Sequence, residues 1–378
     1  MKQVVIVGST GSLGRKAVDI ALQLDYRISA LAGFKNYELL NEQIGLAKPD
    51  YVFLDKNFLK LIEAQQGMRV LPFEELENYI LKIKPDIVLF LSSGVSALRS
   101  IKICMDNSIR IGIANKESII AGGELFFEGK ELGDTVIPID SETSAIFQLL
   151  KGEYNSPINR LIITASGGPL FGLEKEKLAS VSIETVLHHP NWQMGSKITV
   201  DSATLVNKAF EIMESHFLFN IPYDKIEAIV HRESVIHAMV EFEDKIIKAL
   251  MSVPEMGLSV QYALTYPERK DSSFMALNFA DLGKLTFYKI DRNTFSLYDI
   301  VLNYALRGGN YLPSIVAIDE EVVQSFLRGD ISFLQLEQTF KEAIEQVHYK
   351  KISTIEDIEK EYNKMKEITK DILRRKKC

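Results

Sequence analysis

The chain has 378 residues, of which 46% are hydrophobic and 25% are charged, and its formal net charge is −7. These proportions are average for folded globular domains and argue against a largely disordered chain, while the negative charge disfavours a nucleic-acid partner. No segment approaches the run of about 18 apolar residues that a membrane-spanning helix needs, so we expect no membrane partner. At about 150 residues per domain, the length predicts two or three domains.

The two ends of the chain carry few signals. The first apolar run follows directly after Met1 and Lys2, which leaves no room for a signal peptide and favours a cytoplasmic location. Cys104 and Cys378 offer neither a disulfide framework nor a metal-type cysteine pair. The basic run at 374–377 is typical of a solvated helix end, where cations suit the negative pole of the helix dipole.

The first third, residues 1–139, predicts a doubly wound parallel sheet. Short β-rich runs alternate there with helical patterns, and residues 87–91 are apolar without alternation, as in a strand covered by helices on both faces. The predicted strands are 4–7, 28–32, 51–54, 87–91, 109–114 and 136–139.

The remainder of the chain changes character twice. Residues 140–266 mix helices with β-rich runs, which predicts an α+β catalytic domain, and the pattern weakens over a predicted linker at 267–295. Only helical periodicity remains at 296–378, which predicts a C-terminal helical bundle. The predicted strands are 161–164, 228–230, 236–242 and 246–251, and the predicted helices are 296–307, 314–327, 332–347 and 354–375, with Pro313 among the breaks.

Glycines at 8, 11 and 14 follow the first predicted strand and lead into a predicted helix at 15–24. Such glycines let the backbone approach a pyrophosphate at a helix N-terminus, as in Rossmann-like dinucleotide-binding units. The spacing is G-x-x-G-x-x-G, so the motif alone is weak, and a plain tight turn is the alternative. In this strand, turn and helix context we expect a nicotinamide cofactor.

The end of the second predicted strand indicates which cofactor is bound. An NAD enzyme carries a carboxylate there for the ribose 2′-hydroxyl, but this chain reads Gly33, Phe34, Lys35 and Asn36. A cation without a nearby carboxylate suits a 2′-phosphate, so the sequence favours NADP. The alternative is that Lys35 is an ordinary solvated loop lysine.

Two polar clusters in the middle of the chain could hold a cation and its substrate. If the strand at 136–139 continues, Asp140 and Glu142 project on one face, and two converging carboxylates favour magnesium or manganese. The alternative is a helix N-cap at Asp140 or Ser141. The segment from Asp201 to Glu211 predicts a capped helix start with one polar face, or else an ordinary surface ion pair between Lys208 and Glu211.

Three further loops carry polar groups that could reach a ligand. The Ser166, Gly167, Gly168 and Pro169 loop could offer a hydroxyl and N–H groups to a phosphate, although the motif alone is weak. Residues 188–195 hold the single tryptophan and suggest a lid, with a buried core tryptophan as the alternative. Lys116 follows a predicted strand at the edge where doubly wound folds bind ligands, and Asn115 or Ser118 could instead cap the next helix.

Six motifs occur together in the order and spacing of one known family. They are GSTGSLG at 8, ANKES at 114, PIDSE at 138, ASGGP at 165, HPNWQMG at 189 and KITVDSATLVNKAFE at 197. The chain thereby resembles the 1-deoxy-D-xylulose 5-phosphate reductoisomerases, which make 2-C-methyl-D-erythritol 4-phosphate on the non-mevalonate isoprenoid route. The resemblance implies rearrangement of a ketose phosphate to a branched aldehyde, followed by reduction with NADPH.

The resemblance also implies roles for individual residues, a divalent cation (Mg²⁺, Mn²⁺ or Co²⁺), a sugar-phosphate substrate and a homodimer. The implied metal ligands are Asp140, Glu142 and Glu211, which with Lys116 and His189 form the implied catalytic set. The implied substrate contacts are Lys116, Ser141, Glu142, Ser166, His189, Ser202, Asn207, Lys208 and Glu211, of which Ser166, Ser202, Asn207 and Lys208 cradle the phosphate. The implied NADPH contacts are Thr10, Gly11, Ser12, Leu13, Gly33, Lys35, Asn36, Asn115, Glu117 and Gly195, and Trp192 and Met194 lie on an implied flap near 186–196.

Some positions depart from the family's usual pattern. Arg232 and Glu233 stand where a proline and a glutamine more often precede the serine, Phe34 interrupts a Gly-Lys-Asn order, and 253–256 varies an aspartate-containing stretch. None of them is an implied metal ligand. The alternative functions are a metal-independent NADP-dependent dehydrogenase of another sugar phosphate or semialdehyde, and a non-catalytic NADP-sensing protein.

Overall fold

The computed structural model describes residues 1–127, 133–153, 156–192 and 194–376. The strands are β1 (Gln3–Val7), β2 (Arg27–Ala32), β3 (Tyr51–Leu54), β4 (Arg69–Pro72), β5 (Ile87–Phe90), β6 (Ile111–Ile113), β7 (Val136–Pro138), β8 (Ile158–Ala165), β9 (Ile226–Val230), β10 (Ile236–Phe242), β11 (Ile247–Met251) and β12 (Tyr288–Lys289). The helices are α1 (Ser12–Gln23), α2 (Tyr37–Ala47), α3 (Leu76–Ile83), α4 (Leu98–Asp106), α5 (Lys116–Phe127), α6 (Ser141–Leu149), α7 (Ile183–Leu187), α8 (Ser196–Thr204), α9 (Val206–Phe219), α10 (Met256–Thr265), α11 (Phe279–Leu282), α12 (Leu297–Ala305), α13 (Tyr311–Leu327), α14 (Phe333–Ile344) and α15 (Ile355–Lys376). Gln193 of the predicted flap, Lys377 of the basic run and Cys378 lie outside the described residues.

The chain divides into two compact units, each assembled from separate stretches of sequence. Unit 1 comprises Met1–Ser118, Glu131–Ser144 and Glu255–Phe274. Unit 2 comprises Ile119–Lys130, Ala145–Pro254 and Met275–Cys378. The predicted boundaries at 139, 266 and 295 stay predictions.

Unit 1 is built on a parallel sheet with the strand order β4-β3-β2-β1-β5-β6-β7. In the centre, Val4 pairs with Ile28 on one side and with Ile87 on the other. The apolar residues of these central strands are buried, with α1 packing on β1 and β2 and α2 packing on β2, while α4 and α10 pack on the neighbouring β6. The predicted doubly wound parallel sheet is confirmed.

One strand of this sheet has no counterpart in the sequence prediction. β4 pairs with β3 alone in the described part of the chain, so it lies at the edge, and it contains Arg69 and Pro72. Edge strands tolerate proline and charge, which removes the apolar signal that marks a central strand. Helix α1 also begins at Ser12 instead of residue 15, because Gly11 already serves as its N-cap.

Unit 2 contains a mixed sheet with the strand order β11-β10-β8-β9-β12. β8 runs parallel to β9 and antiparallel to β10, and α9 packs against β9. The C-terminal helices pack mainly on one another, with α13 against α14 and α15 and with α12 against α9. The α+β region and the helical bundle are therefore confirmed as fold classes.

Local details in unit 2 differ from the sequence prediction. Pro313 lies inside the first turn of α13, where proline is tolerated because the N–H groups of that turn have no intrahelical partner. β12 and α11 fall within the predicted linker. None of the helices in the described ranges combines the length and apolar character that a membrane crossing requires.

Candidate active site

The turn between β1 and α1 is tight enough to require glycine. Gly8 has φ +85°, its N–H donates to Ala32 O at 2.8 Å, and the Gly11 N–H donates to Gly8 O at 3.0 Å. A Cβ on Gly14 would lie 2.1 Å from Gly8 O, so α1 packs directly against the turn. Gly11 has no side chain to cap α1, and an anion can take that place at the helix N-terminus.

The residues predicted to select NADP lie beside this turn in unit 1. A Cβ on Gly33 would lie 3.5 Å from the Thr10 side chain, so these two predicted cofactor residues are neighbours. Lys35 and Asn36 are exposed at the start of α2, where Asn36 Oδ1 accepts the Leu39 N–H at 3.1 Å. Asn36 therefore acts as a helix cap, and the Lys35 ammonium lies on the surface as the NADP prediction requires.

Asn115 holds the loop that borders the glycine turn. It is fully buried, its Nδ2 donates to Ser92 O and, at 2.9 Å, to Gly94 O, and its Oδ1 accepts the Ser118 N–H at 2.8 Å. A Cβ on Gly8 would lie 2.5 Å from Ser92 N, so this loop forms one wall of the turn. Asn115 is therefore the cap of α5, the alternative that the sequence left open.

Asp140 and Glu142 lie at the carboxyl end of β7, but not on an extended strand. The strand ends at Pro138 and α6 begins at Ser141, so the prediction of continued extension is wrong. Asp140 instead precedes the helix, with its Oδ1 accepting the Ser141 N–H at 3.1 Å, because short polar side chains stabilise helix N-termini. Its carboxylate also pairs with the buried Lys116 ammonium, while Ser141 Oγ donates to Glu142 Oε2 at 2.5 Å.

The second polar cluster, in unit 2, is buried and not on the surface. Asp201 lies inside α8, and Leu205, with φ +62°, separates α8 from α9, so the predicted helix start at Asp201 is wrong. The Lys208 ammonium pairs with the Glu211 carboxylate and donates to a backbone carbonyl at the end of β8. Lys208 is 4% exposed and Glu211 is 1% exposed, which rules out the surface ion pair. Asn207 Nδ2 donates to Glu211 Oε1 at 2.5 Å.

The hydrogen bonds around His189 fix its tautomer. Nδ1 accepts the N–H groups of Asn191 at 3.2 Å and Trp192 at 3.0 Å, so the ring proton is on Nε2, which donates to Ser166 Oγ at 2.9 Å. The Gly168 N–H donates to the same Oγ at 3.1 Å. Both lone pairs of Ser166 Oγ are thus used, and its hydroxyl hydrogen remains a donor for an anion. Burial, together with the Arg232 charge, lowers the pKa of His189 from 6.5 to about 4.

The predicted flap segment is anchored at two points. Trp192 is half-buried and meets His237 edge-on at 6.1 Å between ring centroids, so it is not a core tryptophan. Asn191 Nδ2 donates to Arg232 O at 2.5 Å. Gly195, at the far end, is exposed and is the N-cap of α8. The sequence analysis gave no individual role to Asn191, Arg232 or His237, although Asn191 lies in the HPNWQMG motif and Arg232 is a departure from the family pattern.

Sequence comparisons identify the family. The profile of 1-deoxy-D-xylulose 5-phosphate reductoisomerase matches residues 4–123, and two profiles of its C-terminal domains match 136–219 and 251–368. A 1-deoxy-D-xylulose 5-phosphate reductoisomerase from Caldanaerobacter subterraneus is 39% identical over 95% of this chain and 96% of its own. The chain belongs to the 1-deoxy-D-xylulose 5-phosphate reductoisomerase family. The reductoisomerase of Persephonella marina is 36% identical over 95% of this chain and 94% of its own.

Solved reductoisomerases share the fold. A DOX-P reductoisomerase in complex with NADPH, fosmidomycin and magnesium has a TM-score of 0.91 and 28% identity, over 99% of this chain and 98% of that one. The reductoisomerase of Zymomonas mobilis in complex with NADPH has a TM-score of 0.89 and 27% identity, over 98% and 99% of the two chains. The resemblance predicted from six motifs is confirmed, and this chain is an NADP-dependent oxidoreductase of the reductoisomerase family. The roles of its individual residues stay predictions.

Proposed function

We propose that this protein converts 1-deoxy-D-xylulose 5-phosphate to 2-C-methyl-D-erythritol 4-phosphate, with NADPH and a divalent cation, as a step in isoprenoid precursor synthesis. The observation that carries the proposal is similarity to named reductoisomerases over 95% of the chain. Relatives of the same fold are complexes with NADPH and magnesium. Neither the metal-independent dehydrogenase nor the NADP sensor is favoured by these relatives.

The donor set fits a divalent cation. Asp140, Glu142 and Glu211 offer carboxylate oxygens, the hard ligands that magnesium and manganese prefer. Buried carboxylates need a positive charge, and in this structure the ammonium groups of Lys116 and Lys208 supply it to Asp140 and Glu211. We assign the three carboxylates as metal ligands and the two lysines as groups that neutralise them and bind substrate oxygens.

The glycine turn fits a dinucleotide. Its close backbone packing leaves the N-terminus of α1 open to a pyrophosphate, and the exposed Lys35 suits the 2′-phosphate of NADPH. We keep Thr10, Gly11, Ser12, Leu13, Gly33 and Lys35 as NADPH contacts. Asn36 and Asn115 also cap helices, so each of them supports the cofactor site by fixing the loop in which it lies.

When bound, NADPH supplies the hydride and the divalent cation polarises the substrate carbonyl. The chain's own residues hold the substrate. Ser166 offers its hydroxyl hydrogen to the phosphate, and Ser202, Asn207 and Lys208 complete that cradle. His189 keeps Ser166 oriented through its Nε2–H, while binding of the remote phosphate holds the reacting carbons in place.

The direct test is turnover by the purified chain. NADPH oxidation is measured with 1-deoxy-D-xylulose 5-phosphate, with and without magnesium or manganese, and the product is identified by NMR. We expect oxidation only with substrate and cation present, and inhibition by fosmidomycin, which is bound in a related reductoisomerase. Undiminished oxidation in the presence of EDTA would contradict the proposed metal dependence.

The substitution Glu211→Gln tests the metal assignment. It keeps the shape of the side chain but removes the charge that a hard cation requires, so we expect turnover to fall by roughly 100-fold or more. Raising the magnesium concentration should recover part of this loss. Glu176→Gln, an exposed carboxylate in the same unit, is the control and should leave turnover unchanged.

The proposal includes a homodimer in the cytoplasm. Support for the dimer comes from the family resemblance and from exposed apolar residues at one sheet edge, where Ile246 is 59% and Ile247 is 47% exposed. The cytoplasmic location stays a prediction.

A further inference from the structure

Arg232, where this chain departs from the family's usual proline, lies directly against the Ser166–Gly168 loop. Its Nη1 donates to Ser166 O at 2.5 Å and to Gly168 O at 3.1 Å. The guanidinium also lies over the Phe171 ring, 4.8 Å from the centroid. One half-buried side chain therefore contacts both ends and the flank of this loop.

These contacts determine which polar groups of the loop are left for a ligand. Carbonyl oxygens repel an anion, and those of Ser166 and Gly168 are occupied by the guanidinium. Gly167 and Gly168 have φ +81° and +67°, and a Cβ on Gly168 would lie 2.5 Å from Ser202 O. The loop is thus held against α8, next to Ser202, with the Ser166 hydroxyl hydrogen as a donor.

The backbone on both sides of Arg232 is itself fixed. His231 is fully buried, its Nδ1 lies 2.9 Å from Thr286 O, and Glu233 accepts the Thr286 N–H at 3.1 Å. On the other side, Asn191 of the flap segment donates to Arg232 O at 2.5 Å and to Ser234 Oγ at 3.0 Å. Arg232 therefore joins the loop and the flap segment to a rigid support.

We propose that Arg232 is a positioning residue of the phosphate site in this chain: it fixes the Ser166–Gly168 loop with its donors available and adds a positive charge that favours a phosphate dianion. The assignment rests on the proposed function, because the family resemblance places Ser166 and Ser202 on the substrate phosphate. Nη1 donates to both carbonyls while the planar guanidinium lies over the Phe171 ring, a stacking contact that the compact ammonium of a lysine does not reproduce. Proline, the family's more common residue, has no side-chain donor at all.

The test measures binding of inorganic phosphate by calorimetry, so that it does not depend on turnover. We expect Arg232→Met to weaken phosphate binding by roughly 10- to 100-fold, because a charge-assisted pair of hydrogen bonds and one positive charge are lost. Arg232→Lys keeps the charge and should give an intermediate affinity. The NADPH affinity and the unfolding temperature of both variants should stay close to those of the unmutated chain.

Arg292→Met is the matched control. Arg292 also lies over an aromatic ring in unit 2, that of Tyr298 at 5.6 Å, and it is 64% exposed. Its loss removes the same charge and a similar contact, so phosphate affinity should change by less than about twofold at ordinary salt. A comparable loss in this control would show that net charge alone is responsible and would overturn the assignment.

Further outcomes are decisive. Unchanged phosphate affinity in Arg232→Met, or no phosphate binding by the unmutated chain, would overturn the proposal. If Arg232→Met does not fold, Arg232→Lys decides, and an affinity equal to that of the unmutated chain would overturn it. Phosphate binding that depends on Arg232, in a chain without reductoisomerase turnover, would contradict the proposed reaction but support this assignment.

Discussion

The imidazole of His189 is held as a neutral base by its neighbours. Two backbone N–H groups point at Nδ1, so a proton added there would face two donors. Burial has the largest effect on the pKa, which is lowered to about 4, and the nearby Arg232 charge acts in the same direction. The ring is therefore a fixed hydrogen-bond donor to Ser166 at neutral pH, and its charge state links the stability of the fold to pH.

The substitution His189→Asn tests this link. Unfolded histidine binds a proton near pH 6.5, but folded His189 does so near pH 4, so its contribution to stability is present at neutral pH and is lost as pH falls between these values. The free energy of unfolding of the unmutated chain should fall more steeply from pH 6.5 to pH 4 than that of His189→Asn. Chemical denaturation at a series of pH values measures both slopes.

The control for this experiment is the neighbouring histidine. His188 is exposed, and His188→Asn should reproduce the slope of the unmutated chain. Equal slopes for the unmutated chain and His189→Asn would mean that folding does not lower the pKa of His189, and would contradict the prediction.

At the scale of elements, the β1–α1 turn depends on backbone contact. Gly14 lies where any Cβ would meet Gly8 O at 2.1 Å and Ser9 O at 2.5 Å, both of them backbone atoms that cannot move aside. Gly45 in α2 has open space instead. Backbone contact requires glycine at position 14 but not at position 45, so alanine substitutions at the two positions should have different effects on stability.

We expect Gly14→Ala to destabilise unit 1 by about 1–3 kcal/mol, because α1 must move away from the turn. The displaced helix N-terminus should also weaken NADPH binding by roughly tenfold or more. Gly45→Ala should stabilise the chain by about 0.5–1 kcal/mol, because alanine loses less entropy in a helix. Urea denaturation and fluorescence titration with NADPH check both variants, and normal NADPH affinity in Gly14→Ala would refute the role given to the turn.

The sequence predicted those elements whose signals are local. Buried central strands such as β5 carry an unbroken apolar run, and the i,i+3 spacing of Lys208 and Glu211 predicts their contact. The sequence carries no signal for the break between α8 and α9 at Leu205, because leucine seldom adopts a positive φ. The close packing of the Leu205 side chain, which is 4% exposed, is what explains this conformation.

Contacts between residues that are far apart in the sequence could not be predicted from local patterns. Ser166 and His189 are 23 residues apart, and Arg232 lies 66 residues from Ser166, so no periodicity relates them. The family resemblance implies that Ser166 and His189 both contact the substrate. The contact made by Arg232 could not come from the resemblance, because the family more often has proline there.

At the scale of the whole molecule, the mixed sheet of unit 2 has an open edge. Among the residues that the structure describes, β11 pairs only with β10, and two apolar residues here are exposed: Ile246, just before the strand, and Ile247, its first residue. An unpaired strand edge with apolar side chains favours association with a second strand. In the proposed homodimer, a second copy of the chain supplies that second strand.

We expect light scattering to give twice the mass of one chain and Ile247→Lys to shift the protein toward monomer, because a charge on an edge strand opposes pairing. Leu46→Lys is the control, since Leu46 is an exposed apolar residue of α2 in unit 1, and it should leave the mass unchanged. A monomeric unmutated chain would contradict the dimer, and a dimeric Ile247→Lys would place its interface elsewhere.

The division of unit 1 into three stretches of sequence has a consequence for biosynthesis. Helix α10 comes from the last stretch and packs on α1, β6 and β7, where Arg110 Nη1 donates to Tyr266 O at 3.0 Å. The nascent sheet therefore lacks one of its covering helices until residue 274 has left the ribosome. A fragment that ends near residue 150 would expose the apolar surface that α10 covers, and we expect it to aggregate, although it contains every strand of the parallel sheet.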